Sequence, residues 1–427
     1  MSQSPQSRQP HPLLPGQSPT ALWQPSTPRP LVILGSTGSI GTQALDVVRS
    51  HPGYFRVVGL AAGGGRLDLL ARQAVEFGVE VVGVTGADAD QVEAALAAAA
   101  AAAGQASAPK VLTGPDSACE VAAWPLDDGV VLNGITGSIG LAPTLAALRA
   151  GRILALANKE SLIVGGPLVT SIATPGQIVP VDSEHSALAQ CLRAGRREEI
   201  RRLLLTASGG PFRGRRRRDL VGVSAAEALA HPTWRMGPVI TVNSATLVNK
   251  ALEVIEAHLL FDVPFDRIDV VVHPQSVVHS MVEFIDGSTV AHCSPPNMRL
   301  PIALALAWPH RLAEVIPPCD WRQATSWVFE PVDGETFPAI DIARRVGTVG
   351  HTAPAAFNAA NEEAVSAFLA GRLDFLGIVD TVAEVVEEFL AAGVSPVRDL
   401  DDVLEAETVA RRMARDVIAR RAGSATP

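Results

Sequence analysis

The chain has four cysteines in 427 residues, Cys119, Cys191, Cys293 and Cys319, and no Cys-x-x-Cys pair among them. Such sparse, scattered thiols suggest neither a disulfide framework nor a zinc ribbon, and they fit a reducing compartment. There is no uninterrupted run of the roughly 18 apolar residues that a membrane helix needs. The alanine run Ala97–Ala103, closed by Gly104, is too short to span and reads as the end of a solvent-flanked helix. Positive charge is not in excess: the net charge of -9 gives no reason to expect a nucleic-acid partner. The one basic run, Arg213 to Arg218 broken by Gly214, is short and reads as a solvated loop. No internal repeat is visible. The first 28 residues, rich in Pro, Ser and Gln, lack the charged start and apolar run of a secretory signal. A disordered tail over 1–28 and a cytoplasmic location are expected.

What remains is a chain with 47% apolar and 19% charged residues, enough for sizeable cores in two or three domains. Short apolar runs at Leu31–Leu34, Phe55–Ala62, Val81–Val84, Lys110–Leu112, Val130–Leu132 and Ile153–Ala157 alternate with helical stretches. That alternation predicts a doubly wound parallel sheet of Rossmann-like type over 29–179. From Val179-Pro180 the pattern mixes strands with one long helix predicted over Ser244–Leu260, as in an α+β domain (180–310). After a linker (311–335), a C-terminal helical domain is predicted over 336–427. The fold class is α/β.

The first strand runs into Gly35-Ser-Thr37-Gly38-Ser39-Ile40-Gly41. A glycine turn between strand and helix lets backbone N–H groups face a pyrophosphate, although an ordinary tight turn would read the same way. The second strand ends at Gly63-Gly64-Gly65-Arg66, with no acid to hold a ribose hydroxyl. The cation Arg66 there favours NADPH over NADH. Asp182-Ser183-Glu184 follows a strand. If the strand continued, both carboxylates would face one side and meet one hard cation such as Mg²⁺. Taken alone, the triplet also reads as a solvated turn.

Asn249, Lys250 and Glu253 lie three and four apart on a predicted helix, with Ser244 one to two turns earlier, and Glu253 is the candidate third carboxylate. Ser208-Gly209-Gly210 offers a hydroxyl beside flexible backbone, suited to phosphate. His231-Pro-Thr-Trp234-Arg-Met236-Gly237 has the make-up of a mobile lid (229–238). Asn158-Lys159-Glu160 follows a strand at its C-terminal end, where α/β sheets place ligands. His273 and His279, six apart, are assigned structural roles.

These stretches, with Val181-Asp-Ser-Glu-His-Ser186, Ser208-Gly-Gly-Pro-Phe212, His273-Pro-Gln-Ser276 and Asn358-Ala-Ala-Asn361-Glu362, occur in an order that resembles the 1-deoxy-D-xylulose 5-phosphate reductoisomerase family across residues 30–423. The resemblance implies isomerisation of 1-deoxy-D-xylulose 5-phosphate and reduction of the aldehyde by NADPH. The product is 2-C-methyl-D-erythritol 4-phosphate, on the non-mevalonate route to isoprenoids. It implies that Asp182, Glu184 and Glu253 bind Mg²⁺, Mn²⁺ or Co²⁺. Ser183, Ser208, His231, Ser244, Asn249 and Lys250 would hold the substrate, Lys159 would reach it near the metal, and Trp234 would cap it. Thr37, Gly38, Ser39, Ile40, Asn158, Glu160 and Gly237 would contact NADPH. It also implies a homodimer, with no nucleic-acid or membrane partner. The chain departs from the family at Gly63-Gly64-Gly65, where relatives carry a basic residue and Asn, and Arg66 is the available substitute. Two rival readings are a metal-dependent NAD(P) oxidoreductase without isomerase activity, and a non-catalytic nucleotide-binding regulator.

Overall fold

The structure is a computed structural model and describes residues 23–105, 108–234 and 236–424. Of the expected tail, residues 1–22 lie outside the described residues, as does Arg235 of the lid motif. Trp23 is already part of the packed chain: it stacks on His310 at 5.0 Å between ring centroids and meets Tyr54 edge-on at 5.7 Å.

The first region alternates strand and helix: β1 (Arg29–Leu34), α1 (Ser39–Ser50), β2 (Phe55–Ala62), α2 (Leu67–Phe77), β3 (Val81–Val84), α3 (Ala89–Ala103), β4 (Lys110–Thr113), α4 (Ser117–Ala122), β5 (Val130–Asn133), α5 (Leu141–Arg149), β6 (Ile153–Leu156), α6 (Lys159–Ile172) and β7 (Ile178–Pro180). The strands form one parallel sheet in the order β4-β3-β2-β1-β5-β6-β7. Leu31, Val32, Ile33 and Leu34 are all fully buried, as the unbroken apolar run requires of a strand covered on both faces. The order reverses between β1 and β5, and a doubly wound sheet opens its ligand crevice at such a point, beyond the carboxyl ends of the strands.

The second region holds α7 (Ser183–Cys191), β8 (Ile200–Ala207), α8 (Ala225–Ala228), α9 (Pro238–Ala245), α10 (Val248–Phe261), β9 (Ile268–Val272), β10 (Val278–Phe284), β11 (Thr289–Cys293), α11 (Arg299–Ala307) and β12 (Glu330–Pro331). Its sheet runs β11-β10-β8-β9-β12, with β8 and β9 parallel and the other pairs antiparallel. The helical region comprises α12 (Ala339–Val349), α13 (Ala353–Leu369), α14 (Phe375–Ala392) and α15 (Leu400–Ser424). Among the described residues, no helix is long and apolar enough to cross a membrane.

Several expectations are corrected. The single helix over Ser244–Leu260 is two helices, because Leu247 adopts a left-handed backbone (φ 59°) and the Thr246 hydroxyl turns back to the Val242 carbonyl at 3.1 Å. The segment expected as a linker supplies β12, which adds an edge strand beside β9. The basic run is more than a solvated loop: Arg217 bonds both Asp380 carboxylate oxygens at 2.7 Å, and Arg213 meets Glu330 at 2.7 Å.

The helix α11 was not predicted, because an apolar segment buried all round carries no helical stripe. Ile302 and Leu306 are fully buried in the same core as Leu31 and Ile33 of β1. Arg29 fastens it there, donating to the Leu306 and Trp308 carbonyls at 3.1 and 3.0 Å. The second region thus returns to brace the first. Truncating Ile302 to Ala is expected to destabilise by about 2–5 kcal/mol, the range for large-to-small core changes. Amide hydrogen exchange should quicken first in β1 and β2, and unchanged exchange there would contradict this bracing role.

Candidate active site

The loop Gly35–Gly41 links β1 to α1 at the switch point of the sheet. Its glycines are imposed by close approach: a Cβ on Gly35 (φ +75°) would lie 2.7 Å from the Gly134 carbonyl oxygen, and one on Gly41 would lie 2.4 Å from that of Gly35. Ser39 and Ile40 line a large cavity, and so does Gly237, which precedes α9. Arg66, exposed at the start of α2, reaches back to donate to the Thr37 carbonyl at 3.1 Å, so its charge sits over the glycine loop. Gly63 and Gly65 have open space where a side chain would stand. Asn158 is buried, with its side chain spent on the fold. It accepts from Ser161 N–H at 2.9 Å, capping α6, and donates to the Ile135 and Gly137 carbonyls at 2.5 and 2.8 Å. Glu160 is pushed up from the ordinary carboxyl value by burial.

Asp182 and Glu184 do not continue a strand. β7 ends at Pro180, Asp182 caps α7, and Glu184 lies in the first turn of that helix. Acidic groups are favoured there by the exposed N–H groups and the helix dipole. The helical turn still brings them together. One carboxylate oxygen from each of Asp182, Glu184 and Glu253 lies within 4.8 Å of the others. Glu253 comes from α10 and is fully buried. Two ammonium groups thread between them. Lys159, from the start of α6, pairs with Asp182 and lies 3.2 Å from Glu253. Lys250 pairs with Glu253 and lies 2.8 Å from Glu184. Asn249 donates to Glu253 at 2.5 Å, and Ser183 Oγ donates to Glu184 at 2.6 Å.

Burial alone would lower both lysines, but the carboxylates hold them above the ordinary lysine value. Burial would raise Glu184, yet Lys250 outweighs it and keeps that carboxyl well below its usual range. Glu253 is pushed up to about 7, first by burial and then by Glu184. Behind the cluster, His185 and Glu256 form a second buried pair, 3.2 Å apart. The Glu253 carbonyl accepts from His185 Nε2 at 2.9 Å, so Nδ1 faces Glu256 as an acceptor. Burial drives His185 down to about 4 and Glu256 well above the carboxyl range, which makes this a neutral pair. The sequence reading missed it, although Glu256 follows Glu253 by one helical turn.

At the other end of the cavity, His231 Nε2 lies 3.1 Å from both Ser208 Oγ and Ser244 Oγ. The N–H groups of Thr233 and Trp234 both donate to His231 Nδ1, at 3.1 and 2.9 Å. Nδ1 is therefore unprotonated, and Nε2 carries the proton toward the two hydroxyls. Trp234 stands edge-on to His279, with 6.2 Å between ring centroids. His273 is structural, donating from Nδ1 to the Val328 carbonyl at 2.9 Å and stacking on Phe329. His279, given the same role, donates from Nε2 to the Ser294 carbonyl at 3.1 Å and also lines the cavity, as do Met236 of the expected lid and Gln43 and Met298, which the sequence reading passed over. No spacing rule marks these residues; only the folded loops bring them in.

The donor set fits a hard divalent cation: three hard carboxylates converge, with one oxygen of each within 4.8 Å of the others, and Lys159 and Lys250 stand among them in the place of the positive charge. A nucleotide-binding sheet opening onto such a cluster defines an enzyme of the dinucleotide-dependent oxidoreductase class. The comparisons with known proteins are more specific. Family profiles described as 1-deoxy-D-xylulose 5-phosphate reductoisomerase match residues 31–166, and profiles for its C-terminal domains match 178–261 and 293–413. A protein of that name from Kitasatospora griseola is 64% identical over 389 residues, covering 91% of this chain and all of the relative. One from Arthrobacter sp. (strain FB24) is 61% identical over 393 residues, covering 92% of this chain and 98% of the relative. A crystal structure of DOX-P reductoisomerase in complex with NADPH, fosmidomycin and magnesium is similar at 37% identity and a TM-score of 0.82, covering 92% of this chain and 98% of that one. The Zymomonas mobilis enzyme in complex with NADPH gives 36% and 0.81, over 92% and 99%. The chain belongs to the 1-deoxy-D-xylulose 5-phosphate reductoisomerase family.

Burial lowers His231 below the ordinary histidine value. Its neutral form, which receives the Thr233 and Trp234 N–H groups, is fully favoured above about pH 6.5. That advantage is lost as pH falls through the lowered value, when protonation of Nδ1 breaks both bonds. Trp234 emission is therefore expected to shift toward that of a solvated indole on acidification, with the shift absent in Trp234→Phe. Loosening on alkalinisation instead would reverse the proton assignment.

Proposed function

We propose that this protein isomerises 1-deoxy-D-xylulose 5-phosphate and reduces the rearranged aldehyde with NADPH to 2-C-methyl-D-erythritol 4-phosphate, using Mg²⁺, Mn²⁺ or Co²⁺, on the non-mevalonate route to isoprenoids. The observation that carries the reading is the convergence of Asp182, Glu184 and Glu253 with Lys159 and Lys250 in one cavity that also receives the glycine loop. Its division of labour follows the chain: nucleotide binding over 29–179, catalysis over 180–310 with the 229–238 lid, and helical support over 336–427.

Asp182, Glu184 and Glu253 would hold the cation, which when bound supplies Lewis-acid polarisation of the substrate's oxygens and a template for its geometry. Lys159 and Lys250, both protonated, offer N–H donors to substrate oxygens at the metal end. Ser208, Ser244 and the His231 Nε2–H converge at the other end, where the phosphate would sit, with Asn249 and Lys250 between the two ends. Ser183, held between two metal ligands, would touch the substrate. Trp234 covers the cavity and excludes water from a reactive aldehyde. Thr37, Gly38, Ser39, Ile40 and Gly237 would contact NADPH. Arg66 would meet its 2′-phosphate in place of the residues that Gly63-Gly64-Gly65 lacks. Asn158 would act through the loop it fastens, with Glu160 beside it. A homodimer in the cytoplasm completes the reading. The sparse, scattered cysteines support the location, and the exposed apolar surface of Trp321, Val328 and Phe329 supports a second copy.

The decisive experiment incubates the purified chain with 1-deoxy-D-xylulose 5-phosphate, NADPH and Mg²⁺. Loss of NADPH absorbance with formation of the branched product is expected. Absence of NADPH oxidation would leave the rival oxidoreductase or regulator readings standing. Glu253→Gln keeps the shape but removes one ligand charge. Metal affinity should fall by more than the roughly 10–100-fold cost of losing an outer-sphere partner. Turnover should collapse with the fold intact, and equal metal affinity in calorimetry would refute the ligand assignment. Arg66→Ala should cut the preference for NADPH over NADH about tenfold, the scale of one charge-assisted hydrogen bond. An unchanged ratio would remove Arg66 from the site.

A further inference from the structure

Asn358-Ala-Ala-Asn361-Glu362 carries the family resemblance yet supplies no side chain to the cavity. It lies on α13 in the helical region, and its two consecutive polar residues leave that region in different directions. Neighbours on a helix diverge by about 100°, so adjacent side chains can reach two separate elements.

Asn361 is 1% exposed and donates from Nδ2 to Asn243 Oδ1 at 3.0 Å. Asn243 is itself buried and immediately precedes Ser244 at the end of α9. Glu362 points the other way, to the loop after β5: a Cβ on Gly137 would lie 3.3 Å from Glu362 Oε1. That carboxylate is locked in place, accepting from Asn358 Nδ2 at 3.1 Å and from Arg411 of α15 at 2.5 Å. Ser138, the next loop residue, hydrogen-bonds Glu407, also on α15. The loop in turn abuts the glycine turn, with Gly134 against Gly35 and Ile40, and the Gly137 carbonyl accepts from Nδ2 of Asn158, the residue that caps α6 beside Lys159.

We propose that Asn361 and Glu362 are positioning residues through which the helical region sets both halves of the active site. Glu362, braced by Arg411, fixes the Gly134–Gly137 wall behind the nucleotide loop. Asn361, through Asn243, fixes the end of α9 that presents Ser244 to the anionic end of the substrate. The inference rests on the nucleotide and phosphate assignments above, and it separates the two residues by ligand.

The test uses the full chain. NADPH affinity is read by nucleotide fluorescence without substrate, and the phosphate end is read by competition of inorganic phosphate against turnover. Glu362→Ala is expected to weaken NADPH about fivefold, the scale of one net hydrogen bond, and to leave the phosphate constant unchanged. The shape-preserving Glu362→Gln should move the same constant less. Asn361→Ala should weaken inorganic phosphate by a similar factor and spare NADPH. Asn243→Asp, which still accepts from Asn361, should behave as wild type, and Asn243→Leu should behave as Asn361→Ala. Parallel weakening of both ligands in each variant, or unchanged constants with only a lower Tm, would overturn the proposal in favour of general support of the fold. A wild-type chain that binds no NADPH would overturn the nucleotide assignment and this inference with it. Wild-type binding matched by Glu362→Ala would overturn this inference alone.

Discussion

The site depends on charge compensation in a buried place. Asp182, Glu184 and Glu253 stand within 4.8 Å of one another, and Glu253 is fully buried. Uncompensated, like charges so close and so dry would take up protons or push the helices apart. Lys159 and Lys250 oppose this from two different helices, each touching two of the three carboxylates, although Glu253 still stays raised. The same ammonium groups are the donors a phosphorylated sugar would meet. The cluster is therefore a folding constraint, on the proposed function it is the machinery as well, and α6, α7 and α10 are joined to one another through it. The neutral His185–Glu256 pair backs it without adding charge.

Around this centre, the three regions of the chain are interleaved. The first sheet supplies the glycine turn after β1 and, after β6, Lys159. The second supplies the acids, the hydroxyls and the lid, then sends α11 back to pack under β1. The helical region touches both through α13. Each half of the cavity is thus backed by side chains that do not line it, the arrangement that keeps a site rigid to within fractions of an ångström.

Much of this was legible in the residues. The run Leu31–Leu34, the glycine turn and the alternation up to β6 gave the parallel sheet, because strands buried on both faces leave continuous apolar runs. Asn249, Lys250 and Glu253 at helical spacing gave one face of α10. The strand expected to carry Asp182 and Glu184 was wrong, since the chain turns helical at Asp182, but first-turn acids converge as well as strand neighbours do. The break at Leu247 was not legible, because nothing in Thr-Leu-Val signals a left-handed residue. Nor was α11, whose apolar residues have no polar side to give a period. That His279 also lines the cavity was not legible, because the neighbours of a strand residue are set by packing.

The linear order of residues was enough to give most of the element types, the glycine turn, the three clustered acids and two lysines, and the family. Those are local properties, carried by spacing, composition and motif. The folded chain alone decided that Lys159 and Lys250 interleave three carboxylates, that His231 points its Nε2–H at two serines, and that Asn361 and Glu362 reach two different halves of the site. Each of these joins residues from separate elements, and the distance between such residues is set by packing, which no local pattern records.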